Sequence, residues 1–211
     1  MKKLLDTLFD QVKYICEKYS IDESHAVGHS MKVLKFSDDI YQSELQNNPF
    51  LIDQQKIIYT SAIIHDICDT KYMTEETGNS ILKNLYTILE EENLLDPKEI
   101  KIINTIVNTM SYSKVKVEGY PLLDKYQLAF HIVREADLLA AYEYERCIIF
   151  TMYTNKKKYT ESVARAKKLF NVRVLKYIED DLFVTEYSKK LASKLHKETL
   201  EYINSIDKIL N

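Results

Sequence analysis

The chain is 211 residues long, and 29 Lys and Arg against 32 Asp and Glu leave a formal net charge of −3, so bulk attraction to nucleic acid or to an anionic membrane is not expected. A hydrophobic fraction of 45% is too high for a disordered chain. Only 3 Gly and 3 Pro punctuate the sequence, where average usage of about 12% gives roughly 25; an all-β fold needs many more turns, which leaves an all-α protein.

Leu4, Leu5, Leu8, Phe9, Val12, Cys16 and Tyr19 recur in steps of three and four and predict a first amphipathic helix. Ser20-Ile21-Asp22 breaks it. A second helix is expected from about Glu23 to Leu45, with Val33, Phe36 and Ile40 inward and Asn47-Asn48-Pro49 as its stop. A third is expected from Asp53 toward Cys68, with Ile57, Ile58, Ser61, Ala62 and His65 on one face, then a polar loop over Asp69 to Thr74 and a fourth helix over Glu75 to Glu92. Asp96-Pro97-Lys98-Glu99 is a strong helix start: Asp96 can cap, Pro97 suits the first helical position and Glu99 completes a capping box. The helix that follows buries Ile103, Ile106, Val107 and Met110. Ser111 to Pro121, which holds Gly119-Tyr120-Pro121, is expected as the longest loop. A long helix is expected over about Leu123 to Met152, and two more over about Thr160 to Glu179 and Val184 to Ile209. No repeat, linker or composition break appears, so residues 1–211 are expected to form a single domain.

Cys16, Cys68 and Cys147 are an odd set with no CxxC pair. They imply neither a disulfide framework nor a thiolate zinc site, and a reducing, cytoplasmic location is expected. Asp6 and Asp10 interrupt the basic and apolar start, so no signal-peptide core is predicted, and no apolar run approaches the ~18 residues of a membrane span.

The chemistry concentrates in a few side chains. His25 and His29 are four apart on one helix face. His65-Asp66 closes an otherwise apolar helix, and Asp137 lies between Val133 and Ala141 at helical spacing. An unpaired buried carboxylate costs several kcal/mol, so Asp137 needs a cationic partner: a metal ion, or Arg134 one turn back. Taken singly, each feature has a plain reading. A lone His on an apolar face is more often a hydrogen-bonded core residue, and Asp69 can equally end a helix in a turn with Thr70 or Lys71. His131 is six before Asp137, roughly 240° around the helix, and is read as structural; His196, among Lys194, Lys197 and Glu198, is read as solvent-facing.

Taken jointly, the order His29, His65-Asp66, Asp137 resembles the HD-domain metal-dependent phosphohydrolases, from about Ser24 to Ile206. His25-Ala26-Val27-Gly28-His29 with Lys32-Val33 is similar to that family's opening segment, and Ala62 to Tyr72, with His65-Asp66-Ile67-Cys68-Asp69-Thr70-Lys71-Tyr72, is similar to a bacterial-type subgroup with His-Asp-Ile-x-Asp-Ser-Lys-Phe. Asn108 to Lys114 and Ile132 to Asp137 match that subgroup's later segments. The resemblance implies an all-α, single-domain HD-type helical bundle with its metal site at the centre, a core motif region over 24–150 and additional C-terminal helices over 151–211. It implies one divalent ion (Mn²⁺ favoured among Mn²⁺, Fe²⁺, Co²⁺, Ni²⁺, Zn²⁺ and Mg²⁺) on His29, His65, Asp66 and Asp137. Asp69 and Lys71 are implied as catalytic residues, and His25, Lys32, Tyr72 and Lys114 as substrate contacts. The implied activity is hydrolysis of a phosphoester or phosphoanhydride in a nucleotide, with release of pyrophosphate from a nucleoside triphosphate. A nucleotide phosphomonoesterase on the same metal is the alternative, and a non-catalytic metal-binding scaffold a second one. Leu138 and Ala140 stand where the subgroup usually has Arg and Asp. Dinuclear relatives need extra His ligands between the His-Asp pair and the last Asp, where this chain has only His131, so one metal is expected. Family members often dimerise; no stripe in this sequence marks an interface.

Mixed imidazole and carboxylate donors suit borderline divalent ions. Tyr72, Tyr112, Tyr142 and Tyr144 are candidates for stacking on a base, although tyrosines at helical spacing are mostly core. The clusters Lys156-Lys157-Lys158 and Arg165 with Lys167-Lys168 read as solvated helix ends.

Overall fold

A computed structural model describes residues 1–22 and 24–210. Its described residues form ten α-helices joined by turns and short 3₁₀ segments, with no strand. None of these helices is long and apolar enough to cross a membrane.

Three helices make the centre: α2 (Val27–Leu45), α3 (Gln55–Ile64) and α7 (Gln127–Ala140) pack on one another. The sequence explains why α3 and α7 lie innermost. Every residue of α3 from Ile57 to Ile64 is buried, as a mostly apolar helix with little polar face to give to solvent should be; α7 is buried along nearly its whole length from Ala129 although it carries Arg134 and Glu135, whose charges find partners inside the protein. α1 (Lys2–Tyr19) lays its stripe of Leu4, Leu8, Val12 and Ile15 on α3 and α2. α4 (Glu75–Glu91) and α5 (Pro97–Thr109) follow, and α5 packs on α3. The capping box at the start of α5 is complete: Asp96 Oδ1 accepts from the N–H groups of Lys98 and Glu99 at 2.8 Å each, and Glu99 Oε2 accepts from Asp96 N–H at 2.9 Å.

The remaining elements are α6 (Tyr112–Glu118), α8 (Tyr144–Tyr153), α9 (Tyr159–Val172) and α10 (Glu186–Leu210). α8 pairs with α9, and α10 returns to pack on α7 and α2. One hydrophobic core runs through all of this, from Leu4 to Ile206.

Five expectations change. The third helix, expected from Asp53 toward Cys68, runs over Gln55–Ile64 only, after a 3₁₀ segment over Pro49–Gln54 and before turns at 65–68. The stretch expected as a loop from Ser111 contains α6, which Ser111 caps by accepting from Lys114 N–H and which ends at Gly119 with φ +76°, a left-handed backbone that glycine takes without a Cβ penalty. The single helix expected from Leu123 to Met152 is two, α7 and α8. The chain turns at Ala141 to Glu143, where the Tyr142 carbonyl accepts from Thr199 Oγ1 of α10 rather than continuing the helix. The helix expected to reach Glu179 ends at Val172, because Arg173 leaves helical geometry at φ −133°, ψ −70°. The second helix, expected from about Glu23, begins at Val27 after Ala26 in extended conformation; Glu23 itself lies outside the described residues.

Two buried groups anchor the last crossing. Glu135, fully buried, accepts from Val184 N–H at 2.6 Å, Thr185 N–H at 3.2 Å and Thr185 Oγ1 at 2.7 Å, which fixes the entry into α10. Its neighbour Arg134 donates to the Leu182 carbonyl and stacks on Tyr120, 4.9 Å from the ring centre. Arg134 is thus taken up by the chain entering α10, not by Asp137 as an i, i+3 partner.

Candidate metal centre

Each proposed ligand comes from the central helices. His29 sits in the first turn of α2. His65 caps the C-terminus of α3 and Asp66 follows it, so the apolar run that buries α3 delivers both side chains where the helix stops. Asp137 is the one side chain in the last two turns of α7 that is only partly buried. Their donor atoms converge. The two Nε2 atoms of His29 and His65 are 3.2 Å apart. Asp66 Oδ2 is 3.3 Å from His29 Nε2 and 3.6 Å from His65 Nε2, and Asp137 Oδ1 is 3.6 and 3.5 Å from the same two atoms. His29, His65 and Asp66 form the tightest group, with donor atoms all within 4.8 Å of one another.

The donor set fits a divalent cation on three counts. Atoms bound to one ion at ~2.0–2.2 Å stand ~2.9–3.6 Å apart along the edges of an octahedron or tetrahedron, which is the spacing found. His65 Nδ1 donates to the Ala62 carbonyl at 2.8 Å, so its neutral ring keeps the Nε2 lone pair facing the cluster, the usual outer contact of a ligating imidazole. The cluster also demands positive charge. Burial works against both carboxylates, yet the histidines hold Asp66 well below the usual carboxylate range and Asp137 at about 2. In return, Asp66 and Asp137 draw His65 up to about 9 against its own burial. His29 goes the other way, lowered by burial and by the nearby Arg146 cation. A dication supplies the positive charge that the two carboxylates otherwise draw from the His65 proton.

The centre opens on a cavity of about 810 Å³, lined by His65, Asp66 and Asp137 and by five cationic side chains, Lys71, Lys114, Arg146, Arg165 and Arg173. Lys71 Nζ is held between Asp69 Oδ2 at 2.6 Å and His25 Nε2 at 3.3 Å, while Asp69 Oδ1 accepts from Lys71 N–H at 2.9 Å. Asp69 therefore makes the turn with Lys71 and lines the cavity at once. His25 is not drawn into the ligand cluster. Its Nδ1 meets Ser24 Oγ at 2.6 Å and Tyr72 Oη at 3.0 Å, and burial, reinforced by Lys71, Arg146 and His29, lowers its pKa to about 4. A neutral His25 can accept from Lys71, so it positions that ammonium. Tyr72 stands behind His25 and donates to Asp22 Oδ2 at 2.7 Å.

Lys114 lines the cavity and donates to the Asn108 carbonyl at 2.6 Å. Lys32 does not line it; its ammonium pairs with Glu143 and ties α2 to the start of α8. Of the tyrosines considered for stacking, Tyr112 reaches the cavity, whereas Tyr142 and Tyr144 are buried core residues. Leu138 and Ala140 are buried as well. His131 packs against Tyr120, 4.9 Å between ring centres, away from the cluster. His196, expected to face solvent, is half-buried against Tyr142.

Two site residues escape the sequence reading. The Arg146 guanidinium lies against the His29 ring, with Nη1 2.8 Å from Nε2 and close to Nδ1 as well; contact with both nitrogens places it against the ring rather than on one lone pair. Arg173 reaches the cavity from the turn after α9. Neither carries a periodic signal, since both lie beyond helix breaks that only the packing creates. Arg165, read as a solvated helix end, also lines the cavity. Comparison of the chain with family models, with curated proteins and with solved structures gives no match.

Proposed function

We propose that the protein is a metal-dependent phosphohydrolase acting on a nucleotide, and that it releases pyrophosphate from a nucleoside triphosphate. The observation that carries this reading is the convergence of two imidazole nitrogens and two carboxylate oxygens, 3.2–3.6 Å between His and His or His and Asp, at the wall of a cavity lined by five cationic side chains. His29, His65, Asp66 and Asp137 would hold one divalent ion, Mn²⁺ by preference. When bound, such an ion supplies Lewis acidity toward a phosphoryl oxygen and lowers the pKa of water.

The chain's own residues do the rest. The buried faces of α2, α3 and α7 fix the ligand rings before any substrate arrives, so little reorganisation is needed. Asp69, held by Lys71 on both carboxylate oxygens, is placed to orient or deprotonate the attacking water. Lys71, seated between Asp69 and His25, offers an N–H to a phosphate oxygen. His25, itself on the cavity wall, holds Lys71 in place, Tyr72 braces His25 from behind, and Lys114 contributes cationic charge from α6. Cys68 and Cys147 are free thiols on the cavity wall, in keeping with a reducing, cytoplasmic compartment.

The test is turnover of a nucleotide panel with Mn²⁺ by wild type, His65→Ala and Asp66→Ala, with orthophosphate and pyrophosphate measured separately. Pyrophosphate release by wild type alone is expected. Orthophosphate release from nucleoside monophosphates, with no pyrophosphate from triphosphates, would make the enzyme a phosphomonoesterase, and turnover surviving both substitutions would remove the metal centre from the chemistry.

A further inference from the structure

Part of the cavity wall is built by α6, α9 and the turn that follows α9, away from the ligand-bearing helices, and it has a chemistry of its own. Arg173 ends α9, and its guanidinium carbon lies 4.7 Å from the centre of the Tyr112 ring. Its Nε donates to Tyr177 Oη at 3.1 Å, and the Tyr112 and Tyr177 ring centres are 5.4 Å apart. All three residues line the cavity.

The guanidinium is thus held on one face by a ring and on one edge by a phenol. Among the described residues no carboxylate lies within 4.0 Å of it, and neither Nη atom has a protein acceptor, although both stay accessible. Burial works against this cation, but the Tyr177 and Tyr112 phenols and the Asp137 carboxylate outweigh it and keep it charged. A planar fork with a fixed orientation and its paired N–H donors unspent is built for bidentate contact with an oxyanion, and the ring beneath it limits the side-chain freedom that binding would otherwise cost. Arg165, two turns earlier on α9, and Lys114 on α6 line the same cavity. Three cations gathered there favour a phosphate, with its greater charge, over a carboxylate.

We propose that Arg173, seated on Tyr112 and tethered by Tyr177, is a second anion subsite that receives the non-reacting phosphate of a polyphosphorylated ligand, and that it selects polyphosphates over monophosphates. This rests on the phosphohydrolase reading for its ligand class, but its geometry is separate from the metal centre. A ligand spanning both places needs at least two linked anionic groups.

The test is calorimetric binding of inorganic tripolyphosphate and of orthophosphate in EDTA, which removes the metal centre from the measurement. Wild type is expected to bind tripolyphosphate at least tenfold more tightly than orthophosphate. Arg173→Gln is expected to lose at least tenfold in tripolyphosphate affinity, Arg173→Lys several-fold because it lacks the fork, and Tyr112→Leu several-fold, with Tyr112→Phe restoring the ring and the affinity. Mn²⁺ binding, measured separately, should persist in every variant, which shows that each is folded. If Arg173→Gln does not fold, Arg173→Lys and Tyr112→Leu carry the test. Tripolyphosphate affinity within twofold of wild type in the Arg173 variants, or no measurable binding by wild type, overturns the subsite. Tripolyphosphate binding that depends on Arg173, in a protein that turns over no nucleotide, would leave the subsite standing and remove the hydrolase reading alone.

Discussion

Replacing Asp137 by Asn tests the metal centre without any assumption about substrate. The substitution keeps the shape of the side chain and removes one of two carboxylates from a cluster whose donors come from His29 on α2, His65 and Asp66 at the end of α3, and Asp137 on α7. An ion bound there stabilises the folded chain only, by RT ln(1 + [L]/Kd), about 2.7 kcal/mol when Mn²⁺ is at one hundred times its Kd. An unfolding entropy of about 2.1 cal/mol/K per residue gives about 0.44 kcal/mol/K for 211 residues, so Mn²⁺ should raise the wild-type Tm by about 6 °C. Loss of a ligating charge that weakens binding about a hundredfold reduces the stabilisation at the same Mn²⁺ concentration to about 0.4 kcal/mol, or about 1 °C. The assay is differential scanning calorimetry of both proteins, each with EDTA and with Mn²⁺. The quantity compared is the Mn²⁺-dependent shift within each protein, which cancels any direct effect of the substitution. An equal shift in wild type and Asp137→Asn would refute the assignment of Asp137, and no shift in wild type would refute the centre.

Two further outcomes follow from the packing and the electrostatics. Glu135→Ala removes a fully buried acceptor of three hydrogen bonds from Val184 and Thr185 and leaves Arg134 buried beside it without its nearest carboxylate, 3.7 Å away; a loss of about 3–5 kcal/mol is expected, and a change under 1 kcal/mol in urea denaturation would show that α10 is anchored by its apolar face alone. Asp22 is half-buried, and burial would raise its pKa, but bonds from Ser24, Thr154 and Tyr72 lower it from 3.8 to about 2; because the folded value is the lower one, the stabilisation is complete above 3.8 and drains away as pH falls toward 2. That shift is about 2.4 kcal/mol, screened to about 1 kcal/mol for a partly solvated group, so the urea-denaturation gap between wild type and Asp22→Asn should be about 1 kcal/mol at pH 6 and roughly half that at pH 3; a gap independent of pH would mean that the Asp22 carboxylate gains nothing from its partners.

Local signals in the sequence were sufficient wherever the physics is local. The capping box at Asp96 and the first amphipathic stripe concern residues within one or two turns of each other, and both stand in the structure as read. Ser111 and Gly119 are equally local signals, a cap and a stop seven residues of helix apart, and the Gly-Tyr-Pro run begins only where that helix ends. The break between α7 and α8 has no local mark, neither glycine nor proline. It exists where Thr199, 57 residues away, takes up the Tyr142 carbonyl.

The same division runs through the candidate site. His29, His65, Asp66 and Asp137 stand out in the sequence because charged or ligating groups on otherwise apolar faces are costly and call for a partner. Lys32 and Lys114 look alike as sequence, and only the fold sends one to Glu143 and the other to the cavity. Arg146 and Arg173 are ordinary surface-type residues on paper; the turns after α7 and after α9 bring them to the cavity. An all-helical class, and a handful of polar groups that an apolar interior would not tolerate alone, are legible in the residues themselves, because helix periodicity and desolvation cost can be summed over neighbours along the chain. Tertiary structure alone decided which cations face those groups, because that choice depends on contacts between residues dozens of positions apart, whose geometry no local pattern encodes.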